Sequence, residues 1–384
     1  MILRKISRKI KWKPLVRLRK AAQQAVYFIV GAAGSFTFSL LRALRLLPAV
    51  KVYKGEAIKK ILVMRPDRIG DLILATPVFE NLRRHFPKAR IAVLIAKGNK
   101  DLIEGNPSID QILVSPVPLR YLEAEKFDLA IVLYSAFWTA RLAFRAGIPF
   151  RAGYDFHGCG FLLTHKIPYE QKAAALHEVD RNLNLLELIG ITPQIKELRI
   201  SVSPEAQKKI SHWLLSRGLS ENSHLAIVHP GAYEEYIRWR PEGFAKVADC
   251  LIADYKMQVV LLAGPQEYDL VRKVAALMHN QPVLATGLTL GQTVALIKRA
   301  ELFIGNSTGP MHIAAALKIP VVAIFGSRHP MDDFHKWGPY GTKSFVVRRD
   351  VACKSCEPSE CRHLRCMKEI EPAQVLEAVR AVRL

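Results

Sequence analysis

Residues 60–71, KILVMRPDRIGD, join a short apolar run to a loop that ends in a carboxylate. The run 60–65 has the continuous apolar and β-branched character of a strand that is buried on both faces. Helical periodicity begins at about residue 71 and continues to about 86. A strand, a loop and a helix in this order predict one unit of a parallel sheet that is covered by helices.

The same alternation continues along the chain. Further strands are predicted at 90–95, 109–114, 127–133, 225–229, 258–263, 283–285, 301–304 and 320–325. Helices are predicted at about 98–105, 119–126, 136–146, 173–189, 204–217, 241–255, 267–278, 290–299 and 310–317. The predicted fold class is therefore α/β, with two Rossmann-like doubly wound domains that face a cleft. A last helix at about 371–383 has no strand after it, and we expect it to pack back across the two halves.

These patterns divide the 384 residues into four segments. Residues 1–55 form a basic arm that we expect to associate with membranes, and 56–190 form an N-terminal Rossmann-like domain. Residues 191–366 form a C-terminal Rossmann-like domain, with a Cys-rich segment at 353–366. A C-terminal helix occupies 367–384.

The positive charge is concentrated in the arm. The formal net charge is +22, but residues 1–55 contain thirteen Lys or Arg and no acid, and the rest carries +9. Residues 21–41 have no charge, a length that would cross a bilayer, although polar side chains and two glycines interrupt the run. We expect an interfacial or re-entrant helix on an anionic membrane surface rather than a full span, with a solvated tail as the plain alternative. Nucleic-acid binding is disfavoured because aromatic residues are not interleaved with the basic run.

The loop 65–71 follows the first strand, where a ligand cleft is expected to open. Arg65 and Arg68 are candidates to bind an anion, and Gly70 allows close backbone approach. Asp71 is the candidate general base and Asp67 a weaker one. A carboxylate at a helix start also caps helices, and both readings of Asp71 remain open at this point.

Three later loops have the features of a diphosphate site. Residues 305–312, GNSTGPMH, put Ser307, Thr308 and Gly309 before a helix, where free backbone N–H groups favour phosphate, and His312 either contacts the ligand or packs. Arg238 and Arg240 follow another strand and suit a departing diphosphate, or they are surface charges. Glu267 is a candidate for a ribose hydroxyl. The chain contains neither a P-loop nor a G-x-G-x-x-G at the first strand.

Four of the six cysteines lie together, at Cys353, Cys356, Cys361 and Cys366. Thiols at these spacings are candidate ligands for structural zinc or an iron–sulfur cluster, with His363 as an alternative ligand. Redox-active disulfides and simple structural thiols are the other interpretations. The clustering argues against a secreted disulfide framework.

Five segments in family order resemble the glycosyltransferase family that includes the ADP-heptose:lipopolysaccharide heptosyltransferases. The resemblance covers about residues 59–380, and its segments are ILVMRPDRIGDLILATPVFENLRRHFP, RAGYDFHGCGFLLTHKIPY, HEVDRNLNLLELIG, VVLLAGPQE and GNSTGPMHIAAALKIPVVAIFG. It implies a GT-B fold and a metal-independent transfer that inverts the anomeric carbon. It also implies an ADP-sugar donor, bound by the C-terminal domain 191–366. The implied acceptor is lipid-linked or of the lipopolysaccharide-core type, is bound by the N-terminal domain 56–190 with Arg65 and Arg68, and lies at the cytoplasmic face of the inner membrane.

The resemblance also assigns roles to individual residues. Asp71 matches the catalytic aspartate, Thr308 and Gly309 match the phosphate-binding turn, and Glu267 matches the ribose contact. Arg238 stands where the family has a basic residue before Trp-Pro, but Arg240 is inserted before the proline, so either arginine is a candidate. Ser307 stands where the family often has an acid near the donor sugar, and the donor sugar is therefore heptose or a relative of it.

Two other functions are compatible with these loops. A GT-B-like sugar-nucleotide epimerase or hydrolase would need no lipid acceptor, which the basic arm disfavours. A non-catalytic, membrane-bound nucleotide-binding protein would keep the phosphate turn and make Asp71 dispensable.

Overall fold

A computed structural model describes residues 13–43, 53, 58–168, 176–326, 333–351, 353, 361 and 363–383. The first half contains helices α1 Lys13–Ala43, α2 Ile69–His85, α3 Leu119–Glu125, α4 Phe137–Arg145 and α5 Glu178–Glu187, and strands β1 Lys60–Arg65, β2 Arg90–Ile95, β3 Gln111–Val114, β4 Leu129–Val132, β5 Phe150–Asp155 and β6 His165–Pro168. These six strands form one parallel sheet in the order β3-β2-β1-β4-β5-β6.

The second half repeats this architecture. Its helices are α6 Pro204–Leu215, α7 Pro241–Ala253, α8 Tyr268–Ala276, α9 Leu290–Lys298, α10 Gly309–Ala316, α11 Phe334–Trp337, α12 Arg365–Lys368 and α13 Pro372–Arg383, and its strands are β7 Leu225–His229, β8 Gln258–Leu262, β9 Val283–Ala285, β10 Leu302–Asn306, β11 Val321–Phe325 and β12 Ser344–Arg348. The second sheet has the order β12-β11-β10-β7-β8-β9 and is also parallel. Read from its own first strand, each sheet has the doubly wound order 3-2-1-4-5-6, which confirms the predicted fold class.

The structure differs from the predicted elements in three places. The helix predicted at 98–105 is only a 3-10 turn, Lys100–Leu102, because Gly98 and Gly105 on either side adopt positive φ angles of 93° and 79° that a helix does not tolerate. Strands β5, β6 and β12 were not predicted, since polar residues and a glycine interrupt their apolar runs. The last helix, α13, does not bridge the two halves. It packs on β11, β12 and α7 of the second sheet.

The two halves share part of their core. One hydrophobic cluster contains buried residues from both sheets, including Leu74 and Val78 of α2 and Ile313 and Ala314 of α10. Two further clusters cover the outer faces of the second and the first sheet. Helices α2 and α10 contact each other across the division, so their N-terminal ends meet. The limits of the four predicted segments stay a prediction, with the first sheet at residues 60–168 and the second at 225–348.

Helix α1 lies against the first half along one narrow face. The residues on this face are Tyr27, Gly31, Gly34 and Phe38, whose spacing of three and four places them on one side of a helix. The ring of Tyr27 stacks on His157 at 4.4 Å between centroids, and Phe38 lies 5.0 Å from Phe161. A Cβ on Gly31 would lie 3.1 Å from the Cα of Gly158, and a Cβ on Gly34 would collide with the Phe161 ring. The two glycines therefore let the helix approach the body closely.

Gly34→Leu is expected to release α1 from the body, because the new side chain would occupy the position of the Phe161 ring. Amide hydrogen exchange of residues 27–38 should accelerate at least about tenfold, since local opening then costs less. Ala33→Leu is the matched control, because Ala33 is exposed on α1. Equal exchange rates in the two variants would contradict the observed packing.

Candidate active site at the facing ends of the two sheets

The first wall of the site is the turn between β1 and α2. Arg65 is the last residue of β1, and Arg68 precedes α2 in an extended conformation without a capping side chain. Asp71 is the third residue of α2, and its carboxylate Oδ1 accepts a hydrogen bond of 2.6 Å from Nη2 of Arg65. The carboxylate is thus oriented by a cation from the preceding strand. Its side chain is 16% exposed, so it remains accessible from the cleft.

The Arg65 guanidinium is buried among three carboxylates. Besides Asp71, its Nη2 donates to Glu178 Oε1 at 3.0 Å, and its Nε lies 3.2 Å from Asp67 Oδ1. Its Nη1 donates to the backbone oxygen of Leu133 at 2.9 Å. A single side chain therefore connects the ends of β1 and β4 with the starts of α2 and α5.

This environment separates the pKa values of the three acids. Burial raises the pKa of Asp67 to about 7 against the attraction of Arg65. Burial also raises the pKa of Asp71, an effect that Arg65 opposes and the charge of Glu178 reinforces. Burial acts in the same direction on Glu178, but Arg65 and Arg181 outweigh it and lower the pKa of that carboxyl. Glu178 therefore stays ionised more readily than a free carboxyl, whereas Asp67 and Asp71 both bind a proton more readily.

One cation of this cluster comes from the second half. Lys336 of α11 is only 1% exposed, and its charge acts on both Glu178 and Asp71. Burial lowers the pKa of Lys336 to about 8, although Glu178 favours its charged form. The protonation of the acids at the first wall therefore depends on a residue of the opposite domain.

The N-terminal ends of α2 and α10 touch through glycines. A Cβ on Gly70 would lie 2.7 Å from Cδ2 of His312, and a Cβ on Gly309 would lie 3.1 Å from Cγ2 of Ile69. His312 is buried, and burial lowers its pKa to about 3, so the ring is neutral and packs against the Gly70 backbone. Farther out, the guanidinium of Arg68 lies 4.2 Å from the ring centre of Tyr233 across the cleft.

The second wall is the turn between β10 and α10. Thr308 precedes α10 without capping it, and its hydroxyl donates to the backbone oxygen of Asn306 at 3.3 Å. Ser307, Thr308 and Gly309 are all partly exposed. The first turn of α10 thus keeps backbone N–H groups free of any side-chain cap, which is how helix starts bind phosphate.

The buried Asn306 holds the neighbouring loops around this turn. Its Nδ2 donates to the backbone oxygens of Pro230 and Gly231 at 2.9 and 3.0 Å, and its Oδ1 accepts from the backbone N–H of Trp239 at 3.0 Å. Asn306 thereby fixes the loop that carries both candidate arginines.

The two arginines have different surroundings. Arg238 donates through Nη2 to the backbone oxygen of Ala232 at 3.0 Å, while its buried Nε has no hydrogen-bond partner among the described residues. Arg240 donates to the backbone oxygen of Lys368 at 2.6 Å and to Glu371 at 2.7 Å, so it fastens the C-terminal segment. Of the two, Arg238 makes fewer hydrogen bonds to the described residues.

Glu267 lies at the edge of the same wall, just before α8. Its Oε2 accepts from the backbone N–H of Gly264 at 2.7 Å and lies 3.8 Å from Nε2 of His229. A side chain at Gly231 would collide with the Glu267 carboxylate, so this glycine leaves room for it.

The predicted metal site is described only in part. Cys353 and Cys361 are free thiols, and Cys361 Sγ lies 3.5 Å from Nδ1 of His363. Cys366 lies in α12, whereas Cys356 is outside the described residues. Within the described part of the chain, no group of three or more His, Cys, Asp or Glu side chains is arranged to hold a metal ion. Metal binding by this segment stays a prediction.

Four residues of the site were not singled out from the sequence: Glu178, Arg181, Lys336 and Asn306. Glu178 and Arg181 lie one turn apart in the segment HEVDRNL, and charges between buried apolar positions were the available signal. Asn306 belongs to the phosphate turn, where a buried amide after an apolar strand could have been noticed. For Lys336 the sequence contains no such signal.

Two facing Rossmann-like domains, with a carboxylate at one helix start and a phosphate-type turn at the other, are the architecture of a nucleotide-sugar glycosyltransferase. The model of the family described as "Glycosyltransferase family 9 (heptosyltransferase)" matches residues 119–366. Lipopolysaccharide heptosyltransferase 3 of Escherichia coli (strain K12) is 31% identical over 296 residues, which are 71% of this chain and 82% of that protein.

Solved structures agree with this match. The glycosyl transferase family 9 structure from Veillonella parvula DSM 2008 has a TM-score of 0.75 and 26% identity, and the match covers 86% of this chain and 98% of that one. The E. coli ADP-heptose lps heptosyltransferase II has the same fold, with a TM-score of 0.69 and 24% identity over 84% of this chain and 98% of that one. The chain belongs to glycosyltransferase family 9, and it is a glycosyltransferase with the GT-B fold.

Asp67→Asn is expected to change how stability depends on pH. The raised pKa of about 7 means that the folded protein binds the Asp67 proton more tightly than the unfolded chain does. The stability that this proton contributes is complete below about pH 4 and is lost as the pH rises to about 7. Chemical denaturation between pH 4 and 7 should show the free energy of unfolding of the wild type falling relative to the variant by on the order of 1 kcal/mol or more. Parallel pH profiles of the two proteins would refute a buried, proton-binding Asp67.

Proposed function

We propose that this enzyme transfers a heptose, or a closely related sugar, from an ADP-sugar to an acceptor of the lipopolysaccharide-core type, with inversion at the anomeric carbon. The observation that carries the proposal is the hydrogen bond between Asp71, at the start of α2, and the buried Arg65. The start of α2 lies directly opposite the uncapped start of α10. A base and a phosphate site on facing domains are what an in-line transfer requires.

The proposed base is Asp71. Its raised pKa lets it accept a proton from the acceptor hydroxyl as that oxygen attacks the anomeric carbon. Its hydrogen bond comes from Arg65, so the carboxylate is held in one orientation. The bond to the diphosphate breaks on the opposite face of the sugar, which inverts the configuration. Asp67 is the weaker candidate because it lies outside α2, against Nε of the same arginine.

The diphosphate of the donor is proposed to bind at the second wall. Backbone N–H groups at Ser307, Thr308 and Gly309 and the partial positive charge of the α10 start would hold the phosphate oxygens. The guanidinium of Arg238 would add a charged donor, and Glu267 would accept a hydrogen bond from the ribose. These groups would stabilise the departing diphosphate without a metal ion.

The acceptor is proposed to enter from the first domain. Similar proteins are named lipopolysaccharide heptosyltransferases, and Arg68, at the rim of the cleft on that side, would bind an anionic group of such an acceptor. The basic arm would hold the enzyme at the cytoplasmic face of the inner membrane. In the described part of the chain, one helical stretch, Gln23–Leu41, is long and apolar enough to cross a membrane, which is weak support by itself.

The donor sugar is the least constrained part of this proposal. Ser307 replaces the acid that the family often has at this position, so a panel of ADP-sugars is needed beside ADP-heptose. A structural metal in the Cys-rich segment is a separate proposal, and elemental analysis of the purified protein tests it. An epimerase, a hydrolase or a non-catalytic protein is not favoured by any observation of the site.

Asp71→Asn should lower kcat by about 10²–10⁴-fold, because the general base is lost while the shape of the site is kept. The dissociation constant for ADP-heptose should stay within about threefold, since Asp71 lies on the acceptor side. Transfer is measured with purified acceptor, and donor binding by calorimetry. Asp67→Asn is the control and should retain at least about a tenth of the wild-type kcat. A greater loss in the control than in Asp71→Asn would move the base to Asp67.

Arg238→Ala should weaken ADP binding by about tenfold or more, because one charge-assisted hydrogen bond to phosphate contributes about 1.5–3 kcal/mol. Arg240→Ala is the matched control on the same loop, and its loss should appear in thermal stability instead, because it fastens the C-terminal segment. Weaker ADP binding in Arg240→Ala alone would reverse the assignment.

A further inference from the structure

Helix α1 has a second apolar face that the fold does not use. On a helix with 3.6 residues per turn, Phe28, Ile29, Phe36 and Leu40 point away from the face that docks on the body. All four are exposed, and Phe28 and Phe36 are 77% and 72% exposed. The docked face makes the contacts with the protein, so the outer face remains an exposed apolar surface. Such a surface marks an interaction site for a further partner.

The body continues this apolar surface beside the docked helix. Phe161, the ring on which Gly34 and Phe38 pack, also lies 6.3 Å from the ring of Phe137. Phe137 and Trp138 begin α4 and are 39% and 43% exposed. The ring of Trp138 in turn lies 6.3 Å from that of Tyr134, which is also exposed. Aromatic side chains of this kind are enriched where proteins meet the membrane–water boundary.

Cations flank this surface on both the helix and the body. Residues 21–41 are uncharged, Lys20 and Arg42 stand at their two ends, and no acid occurs before Glu56. On the body, Arg141 and Arg145 are exposed on α4, the helix that begins with the two aromatic residues. An apolar surface flanked by cations matches the acyl chains and phosphates of an anionic bilayer rather than a protein partner.

The docking also decides how α1 meets the bilayer. Contacts with the body extend from Tyr27 to Phe38, a stretch of about 16 Å at 1.5 Å per residue. This stretch has protein on one side, so lipid can reach only the opposite side. The helix is therefore placed along the membrane surface instead of across it.

We propose that the outer face of α1, together with Tyr134, Phe137 and Trp138, forms one membrane-docking surface that sets the mouth of the catalytic cleft against an anionic bilayer. Tyr134 directly follows Leu133, whose backbone oxygen holds Arg65, the partner of Asp71. The surface therefore adjoins the catalytic wall. An acceptor anchored in the same bilayer would present its sugar to Asp71 without being extracted, a step that rests on the proposed function, whereas the docking itself does not.

The test is co-sedimentation of the full chain with vesicles of phosphatidylglycerol and phosphatidylethanolamine. Phe137→Glu/Trp138→Glu should lower the partition coefficient at least about tenfold, and so should Phe28→Glu, because each places a charge in the interface. Phe345→Glu/Leu215→Glu is the matched control, since those residues are similarly exposed on the second domain, at 43% and 57%. Wild-type partition in the Phe137/Trp138 variant, or an equal loss in the control, overturns the proposal.

A fluorescence measurement covers the case in which a charged variant does not fold. Vesicles with brominated acyl chains should quench part of the wild-type tryptophan emission, and Trp138→Phe should remove a large share of that quenching. Identical quenching in both proteins means that Trp138 does not enter the bilayer, and the proposal fails.

Activity separates this proposal from the proposed function. The Phe137/Trp138 variant should lose transfer to a lipid-anchored acceptor in vesicles and keep transfer to the deacylated acceptor within about twofold. Loss with both acceptors would place the aromatic residues in the catalytic structure and overturn the docking role. If the wild type uses neither acceptor but binds vesicles as expected, the proposed function fails and the docking surface stands.

Discussion

The buried guanidinium of Arg65 is the interaction on which the rest of this structure depends. A charge removed from water is tolerated only when it is paired and hydrogen-bonded, and here three carboxylates and one backbone oxygen surround it. The dependence is mutual, because three acids so close together could not stay ionised without a shared cation. Removing one partner of such a buried pair typically costs about 3–5 kcal/mol. The same side chain thus positions β4, α2 and α5 and orients the proposed base, so folding and chemistry share one group.

A second constraint is that the two helix starts that meet between the domains each carry a glycine at the point of contact. Gly70 lies on the neutral ring of His312, and Gly309 lies on Ile69, so each domain contributes one glycine to the contact. A side chain at either position would push the starts of α2 and α10 apart. Because the proposed base lies at one helix start and the proposed phosphate turn at the other, this spacing would determine whether both reach the same sugar. The apolar core common to both domains keeps the two helices in place behind the contact.

The sequence alone predicts the strands and helices whose patterns are local. It does not predict those elements and contacts that depend on tertiary packing. Strands such as 60–65 and 225–229 are continuous apolar runs, and the structure reproduces their limits. Strand β5 contains Arg151 and Gly153, whose suitability for a buried strand depends on hydrogen bonds to Leu162 and on close packing with Leu163. In the site, Asp71 and the phosphate turn could be predicted from the sequence because both lie in loops that follow strands. Glu178 and Lys336 belong to segments that are distant from Arg65 in the sequence. Local sequence patterns do not predict a contact such as that between Arg65 and Glu178, which are 113 positions apart.

The participation of Lys336 makes the proton affinity of the proposed base depend on both domains. Lys336 belongs to the second domain, yet its positive charge lowers the pKa of Asp71 in the first. Glu178, which lies with Asp71 in the first domain, raises the same pKa, and burial raises it most. By linkage, ionisation of Asp71 favours the arrangement in which Lys336 lies near it. The charge of Asp71 and the packing of the two domains are therefore coupled through one buried cation.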